Sequence, residues 1–386
     1  MKNTISITSM ASVSPLGKTS EEIWKNYLNP EHRLSKGNFN ENEAFAGFLP
    51  NELAEEVEKL RAENANYRHV DKSVLFAILS AREATRKAGW ENEKNIGINI
   101  GSSRGATELF EKYHKSYLEN GKAETLASPT TTLGNISSWV GQDLETTGPE
   151  FSHSVTCSTG LHAVSNGVAW MQAGLSDKFL VGGSEAALTP FTMAQMKAMK
   201  IYASEDLEYP CQALNMSKIR NSMVLGEGAG ILCLEAGNAE NAIAKITGMG
   251  YATERLKHSV SISANGECMQ KSMKMAMGDK DPSEIDVVVT HTPGTIKGDL
   301  AEINAIKAVF KHDLPAITCN KWKIGHTFAA SGNLSLEMAI LMLQHQQFIT
   351  VPFSEFDTFP EKLENIMINA VGFGGNAVSI LVSKVP

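Results

Sequence analysis

Residues 154–174 read SVTCSTGLHAVSNGVAWMQAG and join a β-prone segment to a helical pattern through a cysteine. The helical pattern starts directly after the thiol, so the sequence predicts that the Cys157 sulfur lies at a helix N-terminus. There the helix dipole and the free backbone N–H groups favour a thiolate, and we expect the pKa of Cys157 to be lowered. A reactive nucleophile and a packed core cysteine are both compatible with this segment alone.

Strand and helix patterns alternate along the chain around this segment, which is typical of a layered α/β fold with largely parallel strands. The predicted strands are Ile5–Val13, Asn95–Gly101, Lys178–Gly183, Gly230–Glu235 and Val287–Thr290. The predicted helices are Ser20–Leu28, Val70–Ala88 and Leu334–Leu343, the last of them amphipathic. INAVGFGGNAVSILV, residues 368–382, predicts a closing hairpin with a glycine turn.

The chain contains a weak internal echo. AKITGMGYATE, residues 244–254, resembles ISITSMASVSP, residues 5–15, since each is an apolar strand that ends in a Gly/Ser-rich turn. AGNAENA, residues 236–242, is a short polar stretch just before the second copy. We therefore predict two halves, residues 1–236 and 237–386, and an internal duplication.

Composition excludes several classes of protein. The formal charge of −8 over 386 residues disfavours a general nucleic-acid binder. No apolar run reaches membrane-spanning length and the N-terminus has no secretory pattern, so we expect a cytoplasmic protein that does not enter a membrane. The five cysteines, at positions 157, 211, 233, 268 and 319, form no CxxC pair, which favours reduced thiols over disulfides or a zinc site.

Two histidines add chemistry to Cys157. His291 follows the strand-like VVVT, and His326 lies in KWKIGHTFAASGN, residues 321–333, where a turn precedes a helix. A structural role is the alternative for each histidine taken singly. Together the three residues form a Cys-His-His set, which suits acyl transfer to a thiol followed by stabilisation of a developing oxyanion.

Six segments, in this order, resemble the β-ketoacyl-acyl-carrier-protein synthases of the thiolase superfamily, in particular the Cys-His-His elongation type. They are ASVSPLG (11–17), VTCSTG (155–160), LGEGAGILCLE (225–235), HTPGTIKGDLAE (291–302), NKWKIGHTFAASG (320–332) and GFGGNA (372–377). The resemblance implies an α/β thiolase-like fold, with two similar halves in a five-layered αβαβα sandwich. It also implies a homodimer, with a heterodimer as the alternative.

The resemblance assigns catalytic roles position by position. Cys157 corresponds to the acyl-accepting nucleophile, and His291 and His326 to neutral donors that bind the malonyl thioester carbonyl during decarboxylation. Lys321 and Glu302 correspond to a buried charged pair that orders the histidine loops, with solvated surface charges as the alternative.

The terminal glycine motif receives binding roles. The backbone N–H groups of Cys157 and Phe373 correspond to the oxyanion hole, and the Phe373 ring to a gate of the acyl pocket. Gly372, Gly374 and Gly375 allow the backbone to turn tightly there, and Thr295 matches a pantetheine-contacting threonine.

The implied reaction is a decarboxylative Claisen condensation between an acyl group on Cys157 and a malonyl group on an acyl carrier protein. It needs no metal and no dissociable cofactor, because the phosphopantetheine belongs to the carrier. Departures occur at residues 292–295, TPGT instead of GTST, at residues 212–215, QALN instead of RPFD, and at Val371, where phenylalanine is usual. They favour a specialised fatty acid, polyketide or polyene pathway.

Other members of the superfamily are the competing interpretations. A non-condensing partner subunit of the chain-length-factor type would typically lack the nucleophile, whereas Cys157 is present. A degradative thiolase would carry a second cysteine near the C-terminus, and GFGGNA has none. An initiating synthase of the Cys-His-Asn type would replace the second histidine, but His326 is a histidine.

Overall fold

The computed structural model describes residues 4–40, 42–133, 135–255, 262–356 and 358–385. Within these ranges the strands are β1 (Ile5–Val13), β2 (Ser35–Phe39), β3 (Asn42–Gly47), β4 (Gly97–Gly101), β5 (Glu150–Phe151), β6 (Lys178–Glu185), β7 (Leu225–Gly226), β8 (Gly228–Ala236), β9 (Ala244–Thr253), β10 (Val287–Val289), β11 (Ala316–Thr318), β12 (Asn365–Gly372) and β13 (Asn376–Ser383). The helices are α1 (Ser20–Leu28), α2 (Asn51–Glu63), α3 (Lys72–Ala88), α4 (Thr107–Asn120), α5 (Ala127–Thr131), α6 (Asn135–Leu144), α7 (Thr159–Gln172), α8 (Pro190–Ala198), α9 (Glu267–Met277), α10 (Ile296–Phe310), α11 (Lys321–Ile324) and α12 (Ser331–His345). No described helix is both long enough and apolar enough to cross a bilayer.

One sheet of ten strands runs through the molecule in the order β11-β10-β12-β13-β9-β1-β8-β6-β4-β5. Its centre is the antiparallel pair of β1 and β9, where the two halves of the chain meet. Outward from that pair, the strands of each half follow the same order, which is first, fifth, fourth, second and third along the chain. In each half, two antiparallel pairings are followed by two parallel ones. The topology is therefore duplicated, as the sequence echo predicted.

Helices cover both faces of each half-sheet. α3 packs outside β1 and β8, and α9 packs outside β9 and β13 with α10 beside it. α7 and α12 lie between the half-sheets, because α12 contacts β12 as well as β8, and α7 contacts β6 as well as β13. The predicted five-layered αβαβα sandwich is confirmed. β8 ends at Ala236 and β9 begins at Ala244, so residues 237–243 connect the two halves.

The central position of α12 corrects one prediction. The sequence predicted an amphipathic helix at Leu334–Leu343, but every side chain from Ser331 to Leu343 is buried. A helix enclosed between two half-sheets has no solvent face, so polar residues such as Glu337 must find partners inside. Ser12 supplies them: its Oγ donates to the Glu337 carboxylate at 2.8 and 2.9 Å.

Candidate active site

The nucleophile turn is a short, tightly bonded loop before α7. Thr156 has φ +50°, a left-handed conformation that is costly for a β-branched residue. The Thr159 hydroxyl compensates, since it accepts the N–H of Val155 at 2.8 Å and donates to the Thr156 carbonyl at 2.6 Å. α7 begins at Thr159, so Cys157 lies at the helix N-terminus as predicted.

The glycine turn between β12 and β13 packs directly against this loop. A Cβ on Gly372 would lie 1.9 Å from Thr156 Oγ1 and 3.2 Å from the Cys157 nitrogen, so only glycine fits. The Thr156 hydroxyl donates to the Phe373 carbonyl at 3.2 Å. Gly374 and Gly375 have φ +102° and +68°, which completes the turn. The two backbone segments predicted to form an oxyanion hole are thus held side by side.

The structure reverses the direction predicted for the Cys157 pKa. Burial raises the pKa of the thiol to about 12, and the nearby Glu185 carboxylate contributes to the rise. Local backbone hydrogen bonding and the charges of Lys321 and Arg104 act in the opposite direction but are weaker. The helix N-terminus does not compensate for the cost of burying a thiolate, so the Cys157 side chain is a thiol at neutral pH.

The two histidines meet edge to face. Their ring centroids are 5.1 Å apart at an interplanar angle of 85°. β7 holds the second histidine, because the His326 N–H donates to the Val224 carbonyl at 2.7 Å and the Gly226 N–H donates to the His326 carbonyl at 3.1 Å.

Both imidazoles are neutral at pH 7. Burial and the charge of Lys321 lower the pKa of His326 to about 3. Burial also lowers the pKa of His291 well below its usual value, with His326 and Lys321 adding to the effect. Neutral imidazole is the state expected of a group that donates a hydrogen bond and keeps its proton.

Glu302 and Lys321 are both buried behind the histidines, but within the described ranges no ion pair joins them directly. The Glu302 carboxylate accepts the N–H groups of His291 at 3.0 Å and Thr292 at 2.8 Å, while Lys321 Nζ donates to the Thr290 carbonyl at 3.0 Å. The Glu302 carboxylate is therefore held mainly by backbone groups of the His291 loop, whereas the Lys321 ammonium also donates to the Ser335 hydroxyl at 3.2 Å. Burial raises the pKa of Glu302 to about 7 and lowers that of Lys321.

A cavity of about 590 Å³ brings the reactive groups together. Six residues of the predicted site line this cavity, namely Cys157, His291, His326, Thr295, Gly372 and Phe373. Much of the remaining wall is formed by methionines, namely Met196, Met199, Met223 and Met269. The Thr295 hydroxyl also caps α10, because it accepts the Gly298 N–H at 3.2 Å. Among the described residues, no cluster of three or more His, Cys, Asp or Glu side chains could hold a metal ion.

Sequence reasoning missed a buried carboxylate near Cys157. Glu185, at the end of β6, accepts hydrogen bonds from the Ser102 hydroxyl at 2.8 Å and from the N–H groups of Ser103 at 2.8 Å, Arg104 at 3.2 Å and Ala329 at 3.2 Å. It ties the loop after β4 to the segment after His326. The only sequence signal was an acidic residue at the end of an otherwise apolar strand.

A second buried charge was also missed. Asp299 accepts Lys218 Nζ at 2.7 Å and the N–H groups of Gly294 at 3.0 Å and Leu214 at 3.2 Å. It therefore anchors the loop after His291 to residues 212–218, part of which departs from the usual family sequence.

Comparison of the sequence with known families gives two adjacent matches. Residues 2–239 match the N-terminal domain of β-ketoacyl synthases, and residues 243–352 match the C-terminal domain. The chain belongs to the β-ketoacyl synthase family. It is accordingly a condensing enzyme of the acyltransferase type, and the family that the motifs predicted is confirmed.

Named relatives span the whole chain. The 3-oxoacyl-[acyl-carrier-protein] synthase 2 of Staphylococcus aureus (strain COL) is 27% identical over 98% of this β-ketoacyl synthase and 97% of the relative. The enzyme of the same name from Vibrio cholerae serotype O1 is 28% identical over 99% of both.

Solved structures share the fold. A type II polyketide synthase ketosynthase, determined in complex with its acyl-carrier protein and bound to the hexaketide, superposes with a TM-score of 0.84 at 21% identity, with 100% of both chains covered. A β-ketoacyl synthase from Burkholderia phymatum STM815 gives a TM-score of 0.83 at 20% identity, again over 100% of both chains.

Proposed function

We propose that this β-ketoacyl synthase accepts an acyl group on Cys157 and condenses it with malonyl-acyl carrier protein, with the roles assigned by sequence. The observation that carries the proposal is that Cys157, His291 and His326 line one cavity. That cavity is largely apolar, and it places a thiol and two neutral imidazoles within reach of one bound thioester.

In the first stage, the Cys157 sulfur attacks the carrier-bound acyl carbonyl. The new C–S bond replaces the bond to the pantetheine sulfur, which leaves with the proton that Cys157 loses. The N–H groups of Cys157 and Phe373 stabilise the tetrahedral oxyanion. One such hydrogen-bond donor typically accelerates the reaction by a factor of about 10²–10³. A resting thiol with a pKa of about 12 keeps Cys157 protonated until a thioester arrives.

In the second stage, the malonyl group loses carbon dioxide and its thioester oxygen takes up the negative charge. His326 is poised to donate to that oxygen, because its Nδ1 already accepts the Phe328 N–H at 3.2 Å and its proton is therefore on Nε2. His291 is the second donor. The carbanion attacks the acyl carbonyl on Cys157, a C–C bond forms, and the released thiolate takes a proton from solvent. Neither stage calls for a metal or a dissociable cofactor.

The carrier would arrive over a second cavity of about 780 Å³, which shares Asn221 and Ile296 with the catalytic cavity. Lys36 and Arg220 line it in ion pairs with Asp206 and Glu205. Lys197 and Lys200 line it as well, and these two cations suit the phosphate of a pantetheine arm. We further propose a cytoplasmic enzyme that acts as a homodimer, with a heterodimer as the alternative, in a specialised fatty acid, polyketide or polyene pathway.

Intact-protein mass spectrometry tests the proposal. The enzyme is mixed with acyl-carrier proteins of several chain lengths, beside Cys157→Ala and a matched control, Cys211→Ala, which removes a buried thiol away from the cavity. We expect an acyl adduct on the wild type and on Cys211→Ala and none on Cys157→Ala. No adduct from any carrier would contradict the proposal and favour a non-condensing partner subunit.

A further inference from the structure

A cation lies directly behind one wall of the catalytic cavity. The guanidinium carbon of Arg104 is 5.7 Å from the centre of the Phe328 ring, and its Nη2 donates to the side chain of Gln195. Phe328 and Met196, the residue after Gln195, both line the cavity. Only side chains of this wall therefore separate the guanidinium from the space beside Cys157.

The hydrogen bonding of this guanidinium is incomplete. Arg104 Nε is buried and has no hydrogen-bond partner among the described residues, and no described carboxylate forms an ion pair with Arg104. Glu185 is close, but its carboxylate is occupied by the Ser102 hydroxyl and three backbone N–H groups, one of them that of Arg104 itself. A buried guanidinium N–H without an acceptor is costly, which indicates that a ligand supplies one.

The position of Arg104 relative to the nucleophile limits which ligand this is. Arg104 lies against the Phe328 ring, and Phe328 and Cys157 line the same cavity. An acyl group on Cys157 that extends past Phe328 would therefore end at the guanidinium. The Phe328 backbone is fixed, with φ +45° and its N–H bonded to His326, so only its ring needs to turn aside.

We propose that Arg104 is a specificity-determining residue that binds a hydrogen-bond-accepting oxygen at the far end of a short acyl group on Cys157. This inference rests on the proposed function, since it requires acylation of Cys157. The guanidinium fork suits a terminal carboxylate, which accepts two hydrogen bonds, or a terminal carbonyl, which accepts at least one. A plain alkyl chain satisfies neither the charge nor the free N–H.

The test uses pantetheine thioesters of matched length: hexanoyl with an alkyl end, 5-oxohexanoyl with a carbonyl, and adipyl with a carboxylate. The initial rate of adduct formation on Cys157 is measured for the wild type, Arg104→Met and Arg104→Lys. Acetyl thioester, too short to reach Arg104, serves as the reference substrate. The alkylation rate by iodoacetamide corrects each variant for altered thiol reactivity.

We expect the wild type to accept adipyl, 5-oxohexanoyl or both about tenfold faster than hexanoyl, as one hydrogen bond to a charged group would allow. Arg104→Met should remove or invert that preference while its corrected acetyl rate stays the same. Arg104→Lys, which keeps the charge without the fork, should lie between them and provides the comparison if Arg104→Met does not fold. Preference for adipyl alone would identify a carboxylate, and preference for both oxygen-bearing chains a neutral acceptor.

Two other outcomes count against the assignment and are distinguishable. Equal wild-type rates for all three chains, unchanged in Arg104→Met, would overturn the role of Arg104 and leave the proposed function standing. Absence of any Cys157 adduct on the wild type, acetyl included, would instead be a failure of the proposed function.

Discussion

The backbone N–H of Phe328 donates to His326 Nδ1 at 3.2 Å, and this bond sets which nitrogen of the His326 ring carries the proton. With Nδ1 engaged as an acceptor, a neutral His326 carries its hydrogen on Nε2. Because burial lowers the pKa of His326 to about 3, the ring stays in that state across the physiological pH range. In the proposed reaction, His326 would thus be a donor before the substrate binds, and no reorganisation would be needed when charge develops.

His326→Ala should therefore separate the two stages of the reaction. We expect release of carbon dioxide from malonyl-carrier to fall by about 10²–10³-fold, the usual cost of losing one oxyanion donor, while Cys157 acylation falls less than about tenfold. His326→Asn, which keeps an N–H donor, should recover part of the decarboxylation. Labelled carbon dioxide and the intact mass of the protein are measured in parallel. An equal loss in both stages would show that His326 is needed for the shape of the site and not specifically as a donor.

Gly372→Ala should impair the nucleophile without touching a catalytic side chain. The added methyl would lie 1.9 Å from Thr156 Oγ1 and 2.7 Å from the Val155 carbonyl, so the nucleophile turn must shift. Since a displacement of about 1 Å can cost about 10²-fold in rate, we expect acyl-adduct formation to slow at least tenfold. Gly121→Ala is the control: it adds a methyl where nothing lies within 4 Å, although φ +66° strains it. Equal acylation rates in the two variants would contradict the claim that a methyl group at position 372 displaces the turn at Cys157.

The sequence predicted the secondary-structure elements and the meeting of Cys157, His291 and His326, because both depend on local patterns or on ordered motifs. The strands β1 and β13, the start of α7 and the meeting of Cys157 with His291 and His326 follow from alternation, the position of the thiol and ordered motifs. Each of these features depends on a few neighbouring residues or on family motifs whose spatial arrangement is known.

The remaining features depend on distant packing, which one sequence does not display. The Cys157 pKa is set by burial and by Glu185, which lies 28 positions further along the chain. The periodicity of Leu334–Leu343 predicts a helix with one buried face. In the structure the helix lies between two half-sheets, so its opposite face is buried as well. Arg104 follows β4, and its backbone N–H reaches Glu185 at the end of β6 because β4 and β6 are neighbouring parallel strands.

The ion pair of Lys218 and Asp299 should be essential to the loop after His291. Lys218→Met leaves the Asp299 carboxylate buried beside the Gly294 and Leu214 N–H groups without its cation, and removing one partner of a buried pair typically costs about 3–5 kcal/mol. The free energy of unfolding is measured by urea denaturation. The double variant Lys218→Met with Asp299→Asn removes both charges and should recover part of the loss. A double variant less stable than Lys218→Met would contradict the pairing.

Glu337 should make stability fall as pH rises. Burial raises its pKa from 4.5 to about 7, so between these values the folded protein holds a proton that the unfolded chain releases. Its stabilising contribution is therefore complete below about pH 4.5 and is lost as pH rises through about 7. Glu337→Gln keeps the shape of the side chain and removes its titratable carboxyl group. Glu337 is hydrogen-bonded to Ser12 inside the fold and does not line the catalytic cavity.

The buried histidines have lowered pKa values, so their contribution to the unfolding free energy rises with pH. This contribution is the same in the wild type and in Glu337→Gln and cancels in the difference between them. We expect the unfolding free energy of Glu337→Gln minus that of the wild type to increase by about 1–3 kcal/mol between pH 4.5 and 7. Glu91→Gln, which removes an exposed carboxylate, is the control. Urea denaturation at several pH values measures both. A flat or decreasing difference for Glu337→Gln would mean that Ser12 and the nearby Lys87 stabilise the carboxylate enough to offset its burial.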